Sequence, residues 1–461
     1  MSLMLIDHST LGLESWRLDS IYAGNGELPV LADVDVVVVG GGASGVAAAT
    51  TAAEAGKSVV LIEKYGFAGG AAVAGLSGTI CGLYSATDTS GSPQQVVFGF
   101  TERFRRALND KGGLTAPQKY GKTWTVAHDP FVWRDVADDF LTTAGVRTIF
   151  HAAVVGVVMD GANHSGVVVE SNAGRAVINA RRTIDASGDA AVIARAGHGY
   201  RFGQDGRIQN PTTFFRLGGV DVDAFAAGYG QDSISPAWVS ERILQLRDEG
   251  QDLPRQKIFI FTTPHSGELL VNATRLTGPE GRPLNVVDPE DFTLAEVNGR
   301  RQVRAYARFI RENLPGCAGS YVVDTGVEAG IRQTRSISGL ATLENDAVIE
   351  GRKTADSICR SPWPIELHDG DKPRLHWLLD DYYDVPYLSL VPATGSNIIV
   401  AGRCLSAQHE ALASARVTAQ CFEYGHAAGA ATVISLEQEK QYADLDVQHV
   451  RAAMLTQGSN I

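Results

Sequence analysis

One stretch constrains this chain more than any other: residues 36–64, VVVVGGGASGVAAATTAAEAGKSVVLIEK. The four valines at 36–39 suit a strand buried on both faces. They run into Gly40-x-Gly42-x-x-Gly45, and then into a helix of small residues that closes near Gly56. A second strand, 58–62, ends at Glu63. The glycines serve three mechanical needs, namely a tight turn, close approach of backbone to a pyrophosphate, and close packing of helix on strand. A helix opening near Ala43, with Ser44 in its first turn, aims unpaired N–H groups and the positive end of its dipole at phosphate. Glu63 stands 18 residues past Gly45 and is followed by Lys64. That spacing approaches the ~20 residues expected of the acid that holds a ribose hydroxyl. An acid there, with no Arg in its place, argues against a 2′-phosphate. Strand, helix, strand and acid together predict a Rossmann-like dinucleotide-binding unit.

The chain has 461 residues, which predicts two domains at ~100–200 residues each. Its net charge of −12 disfavours nucleic acid or an anionic membrane surface as partner. No window approaches the ~20 apolar residues of a membrane span. Residues 1–29 carry Asp7, Glu14, Asp19 and Glu27 instead of a basic and then apolar leader, which argues against secretion. Five cysteines, odd in number and widely spaced, form no CxxC and no Cys/His cluster at zinc spacing. Reduced thiols in the cytoplasm and no metal are expected.

Along the chain, residues 1–30 read as an extension whose Trp16 and Tyr22 pack on the core. Asp129-Pro130 reads as a helix start, with Phe131, Val132, Val136 and Phe140 at helical spacing. Residues 146–180 alternate valine-rich runs with turn signals, as in a hairpin or three-stranded meander. From 210 to 321 the texture changes toward Pro, aromatic and charged residues, with a long amphipathic helix over 294–313. This region reads as a substrate-facing domain. From about residue 438 a terminal helix or loose tail is expected.

Further elements follow the fingerprint in order: Gly69-Gly70, TIDASGD (183–189), GIRQTR (330–335), YDVPYLSL (383–390) and AGRCLSAQHEA (401–411). With these the chain resembles, over roughly 33–432, the bacterial FAD-dependent oxidoreductases of the glutathione-reductase-type two-domain plan, which have fumarate-reductase-like relatives. The resemblance implies an α/β fold: a Rossmann-like FAD-binding domain with a three-layer β/β/α core, plus a mixed α+β substrate domain. It divides the chain into a discontinuous FAD domain (31–90, 120–200, 390–436), a cap (91–119, 201–389) and a C-terminal tail (437–461). It also implies roles. Gly69 and Gly70 approach the flavin and its pyrophosphate, where a side chain would intrude. Val154 or Val155 offers backbone groups to the adenine, and Ser187 and Gly188 form a close-packed turn near the nucleotide. Gly402 and Arg403 make the second pyrophosphate contact, and a helix over 409–428 aims its N-terminus at the flavin ring. Phe67 and Ala68 stand where covalently flavinylated relatives carry His, so non-covalent FAD is expected.

For chemistry, His409 is the candidate general base, or else a residue that shapes the helix start. Arg332 and Arg335, three apart, would share a helix face and clamp a substrate carboxylate, or else bridge the domains. Arg216, His265, Arg275, Tyr383 and Tyr387 are weaker pocket candidates, and Cys404 and Cys81 read as small buried hydrophobes. The expected activity is hydride transfer between a small organic substrate, anionic or polyhydroxy, and flavin N5, with an unidentified electron acceptor or donor. A homo-oligomer is compatible with these residues. The alternatives are an NAD-binding thiazole-synthase-like enzyme and a non-catalytic flavin-binding scaffold.

Overall fold

The computed structural model describes residues 28–89, 91–368 and 373–461. Trp16 and Tyr22 lie outside the described residues. The first strand, β1 (Val30–Val39), ends in the valine run, and Val36, Val37 and Val38 are fully buried. Burial on both faces follows from its central place. It pairs in parallel with β2 (Val59–Ile62) on one side and with the end of the 12-residue Gly174–Asp185 strand on the other. Between them in sequence come β3 (Arg147–Ile149), parallel to β2, and the antiparallel pair β4 (Ala153–Asp160) and β5 (Asn163–Ser171). Gly174–Asp185 is β6, and β7 (Ile398–Val400) joins its far edge in parallel.

β6 belongs to two structures at once. Its first half pairs antiparallel with β5, which closes the meander expected from the valine-rich runs. Its second half lies in the parallel sheet. The burial pattern records the change: residues 174–181 mostly alternate, as in a sheet with one wet face, whereas 182–185 are all buried. The meander and the parallel strands therefore form one continuous sheet.

Helix α1 (Ala43–Glu54) follows β1 and packs on the 21-residue helix Thr418–Gln438. Small residues permit this contact. A Cβ on Gly425 would lie 2.1 Å from the Ser44 carbonyl oxygen, and one on Gly429 would lie 2.8 Å from that of Ala48. The single helix expected over 409–428 is two: α2 (His409–Ala415) and α3 (Thr418–Gln438). Val417 turns extended between them (φ −77°, ψ 163°), without glycine or proline to announce the break.

The second region contains a four-stranded antiparallel sheet in the order Phe259–Thr262, Leu269–Asn272, Phe215–Gly218, Tyr321–Thr325. Helices Ala237–Asp248 and Pro289–Asn313 cover it, and Val239, Ile243, Val303, Tyr306 and Ile310 join Phe215, Leu217 and Val271 in a separate core. The long helix begins five residues earlier than its apolar periodicity suggests. Asp288 accepts from the Glu290 N–H at 2.8 Å and Pro289 takes the first helical position. Asp129-Pro130 opens its helix in the same way, as its sequence predicts. The C-terminal residues close back on the core: helix Val447–Thr456 buries Val450 and Met454, and the Ser459 hydroxyl donates to Glu423 at 2.7 Å. Among the described residues no helix is long and apolar enough to cross a membrane.

Candidate active site

The fingerprint forms a cradle that leaves no room for side chains at two of its glycines. A Cβ on Gly40 (φ +101°) would lie 2.5 Å from the Ala186 carbonyl oxygen, and one on Gly45 would lie 1.8 Å from that of Gly40. Gly42 differs, since its nearest neighbour would be Gly70 Cα at 3.7 Å. The second glycine pair packs onto the first backbone to backbone, with the Gly69 N–H donating to Gly41 at 2.8 Å. Gly42 precedes α1 without any side-chain cap, so first-turn N–H groups remain for a ligand. The Ser44 hydroxyl donates to the Cys421 carbonyl at 2.7 Å and ties α1 to α3.

Glu63 is buried at the end of β2. Its carboxylate accepts from the Gly41 N–H at 2.7 Å and the Tyr65 N–H at 3.0 Å. Burial raises its pKa, and the two N–H groups oppose that rise. A carboxylate has about four acceptor positions, so two bonds leave capacity for the hydroxyls of a ribose. Uncapped helix, tight glycine cradle and buried acid together fit an adenine dinucleotide.

These groups open onto one cavity of about 1440 Å³, its mouth included. Gly40, Gly42, Ser44, Glu63, Lys64, Gly69 and Gly70 line it, and so do Ser187, Gly188, Gly402 and Arg403, with Ser187 beside Gly40 and Gly402 beside Ser44. Gly45 lies behind, against Gly40. Val154 is buried on β4 and does not line the cavity. Arg403 pairs with Asp189 at 2.6 Å, and a Cβ on Gly188 would lie 2.9 Å from its guanidinium carbon. Burial pushes the Asp189 carboxyl up, but Arg403 and Thr334 hold it below the usual range. Asp185 instead caps the Ala191–Arg195 helix through the Val192 and Ile193 N–H groups.

His409 also lies off the cavity, at the start of α2, where Asn345 accepts from the Ala411 N–H at 2.9 Å. The cavity meets α3 instead, at Val417, Thr418 and Cys421. Arg332 and Arg335 part company for a backbone reason. Residues 330–334 form no helix and Arg335 opens a strand, Arg335–Ile337. Arg332 enters the cavity, while Arg335 lies over the Tyr200 ring and donates to the Asp189 carbonyl. Arg216 is engaged by Asp324 and Glu268, His265 by Asp129, Tyr383 by Ser414 and Tyr387 by the Tyr442 carbonyl. None of these four, nor Arg275, lines the cavity. The Cys404 thiol is buried and its pKa strongly raised by desolvation, and burial pushes that of Cys81 up to about 11. Neither is a ready thiolate at neutral pH.

The inner end of the cavity is a chamber that local sequence patterns did not reveal. Tyr120, Trp363, Glu366, His368 and Arg416 line it with Arg332. The Tyr120 hydroxyl donates to Glu366 Oε1 at 2.6 Å, and His368 Nε2 lies 3.1 Å from the same oxygen. Arg255 Nη2 approaches His368 Nδ1 at 3.4 Å. Burial raises the Glu366 pKa, but the hydrogen bonds from His368 and Tyr120, with Arg416 nearby, hold it below the usual carboxylate range. Burial, with Arg332 and Arg255 nearby, drives the His368 pKa well below its usual value. The imidazole is therefore neutral, donating from Nε2 to Glu366 and accepting at Nδ1 from Arg255. Tyr120 stacks on Phe259 at 5.4 Å and meets Trp363 at 5.2 Å. One sequence signal was available: Glu366, on the short strand Ile365–Leu367, and His368, just past its end, are polar residues in and beside an apolar run (WPIEL) that folding buries.

Parallel sheet, glycine cradle and a cavity that runs on from the cradle to a cluster of buried polar side chains define a dinucleotide-binding protein. The chain belongs to the FAD dependent oxidoreductase family, whose sequence profile matches residues 35–454. It is an FAD-dependent oxidoreductase, an enzyme with FAD as its cofactor. Similar solved structures include a geranylgeranyl bacteriochlorophyll reductase-like protein (Ta0516) from Thermoplasma acidophilum, 14% identical over 92% of this chain and 83% of that one, with a TM-score of 0.47. Another is p-nitrophenol 4-monooxygenase PnpA from Pseudomonas putida DLL-E4, 12% identical over 92% and 84%, with a TM-score of 0.48. THI4 from Thermovibrio ammonificans is 22% identical but aligns with 35% of this chain and 61% of its own, with a TM-score of 0.26. No curated protein sequence matches the chain.

Proposed function

We propose that this enzyme transfers hydride between a small organic molecule in the inner chamber and N5 of non-covalently held FAD, on a glutathione-reductase-type two-domain plan. The observation that carries this reading is the single cavity that joins the glycine cradle to the chamber. FAD supplies the two-electron chemistry when bound, and the chain supplies binding, orientation and field. Glu63 takes the ribose hydroxyls, the N-terminus of α1 takes the pyrophosphate, and Ser187, Gly188 and Gly402 flank the cofactor from the same cavity wall. The N-terminus of α3, at Thr418, favours negative charge at its end of the cavity. Phe67 stacks on Tyr65 and carries no nucleophile for a covalent link. Five unpaired cysteines support a reducing, cytoplasmic setting. Arg332 in the chamber supports an anionic substrate over a polyhydroxy one, with electrons exchanged with an external acceptor or donor.

The test is the absorption spectrum of the purified protein before and after heat denaturation. A flavin spectrum that passes into the supernatant on heating is expected. A colourless protein that binds NAD would sink the reading.

A further inference from the structure

The inner chamber holds more positive charge than its own residues neutralise. Arg332 and Arg416 line it, and Arg255 lies buried behind it. Glu366 is the one carboxylate among the described residues of the lining there, and its bonds go to Tyr120 and to neutral His368. The three guanidiniums are held by neutral acceptors instead. Arg332 donates to the Asn210 carbonyl at 2.8 Å, Arg416 to Gln209 Oε1 at 3.2 Å, and Arg255 to Asn272 Oδ1 at 2.7 Å. The consecutive residues Gln209 and Asn210 thus fix two arginines in place without cancelling their charge. Asn210 is itself anchored, its N–H donating to the His368 carbonyl at 3.1 Å.

A second observation points to the same ligand. Trp363, 1% exposed, is among the lining residues, and its indole N–H and Arg416 Nε are both buried with no partner among the described residues. Donors without acceptors and cations without counter-ions are both unfavourable in a buried site. One anion with planar acceptor oxygens satisfies both, and a guanidinium fork matches a carboxylate. Phe214, Phe261 and Tyr120 complete the lining with apolar surface suited to a hydrocarbon body.

We propose that the chamber binds the carboxylate of a small organic acid, with Arg332 and Arg416 carrying its charge and the Trp363 indole N–H orienting it. This names the substrate class for the function proposed above and rests on that reading. Three guanidiniums against one internal carboxylate leave room for more than one negative charge, so a dicarboxylate binds at least as tightly as a monocarboxylate.

The test uses the FAD-loaded protein at constant ionic strength, titrated with acetate, oxalate, acetamide or inorganic phosphate. Binding is read from the flavin absorbance and from the thermal midpoint. Saturable binding of the carboxylates, with none by acetamide, is expected. Gln209→Glu supplies an internal counter-ion while keeping every arginine, and should weaken carboxylate binding on the order of 10- to 100-fold with FAD content unchanged. Arg416→Gln should do the same. An equal response to acetamide, a preference for phosphate, or full affinity in a folded Gln209→Glu protein would overturn the proposal. If the protein carries no flavin yet acetate still raises the thermal midpoint, the redox reading fails and the anion site stands.

Discussion

The two ends of the cavity are built by opposite means. The glycine cradle comes from contiguous sequence and presents mostly backbone to the cavity: uncapped N–H groups, tight turns and one acid. The inner chamber draws on separated segments, bringing Tyr120, Arg255, Arg332, Trp363 to His368 and Arg416 together, and works with charged side chains. A backbone site tolerates no added volume but carries little net charge. A side-chain site tolerates reshaping but depends on its charge balance. Substitutions that exchange these sensitivities are the way to break the comparison.

The largest effect should come from Gly45→Ala, whose new methyl would lie 1.8 Å from the Gly40 carbonyl oxygen. That carbonyl is backbone and cannot swing aside, so a loss of about 3 kcal/mol and of bound FAD is expected in chemical denaturation and flavin content. Gly42→Ala sharpens the point, because its methyl meets only Gly70 Cα at 3.7 Å. Stability should then stay within about 0.5 kcal/mol while FAD affinity falls. Equal behaviour of the two variants would mean that Gly42 serves the fold and not the ligand.

In the chamber, Glu366→Gln adds no volume but removes the carboxylate that offsets three guanidiniums. Removing one member of a buried charge cluster typically destabilises by about 3 kcal/mol. The expected result is a lower urea midpoint that an added carboxylate ligand partly restores. An unchanged midpoint would show that the arginines do not sense Glu366.

The buried histidines set a pH dependence of definite sign. His128 packs on Trp133 at 4.5 Å, and burial pushes its pKa down to about 4. Burial, then His198 beside it, does the same for His164, and His368 lies well below its usual value. In the unfolded chain each titrates near ~6.5. Below that pH the unfolded state takes up protons that the folded state refuses. Stability is therefore full above about pH 6.5 and falls as pH drops toward 4, at most about 1.4 kcal/mol per pH unit for His128 alone. Thermal midpoints at pH 7.5 and 5 check this, and His128→Phe should flatten the slope.

The same contrast explains what the sequence revealed. Residues 36–64 can be read because each part of that βαβ unit is determined by neighbours in the chain. The chamber cannot, because no spacing relates Tyr120 to Glu366, which meet only after two regions fold together. Two departures from the sequence reading are of another kind. The break at Arg416-Val417 has no glycine or proline, and tertiary contacts decide it. That break seats Arg416 in the chamber and brings the N-terminus of α3, not His409, to the cavity. The three-residue spacing of Arg332 and Arg335 misleads because no helix forms there: residues 331–334 are irregular, with a bend at Thr334, before the strand Arg335–Ile337, so nothing brings the two onto one face. Asp288-Pro289, by contrast, is a legible helix start that the later onset of apolar periodicity hides.

The smallest expected effect lies where the two regions touch. Lys64, directly after the ribose-binding acid of the proposed function, pairs with Glu328 of the second region at 2.9 Å, and the Tyr65 hydroxyl donates to the same carboxylate. Lys64 is half exposed, so solvent screens the pair, and an exposed ion pair contributes about 0–1 kcal/mol. Lys64→Met should leave the urea midpoint nearly unchanged. The partly buried Tyr65–Glu328 bond would still hold the second region over the cradle, so flavin release on dilution should keep its rate. Faster release with an unchanged midpoint would give this contact a different meaning. It would then act on the cofactor's exit and not on the fold, and the cradle would depend on a charged side chain after all.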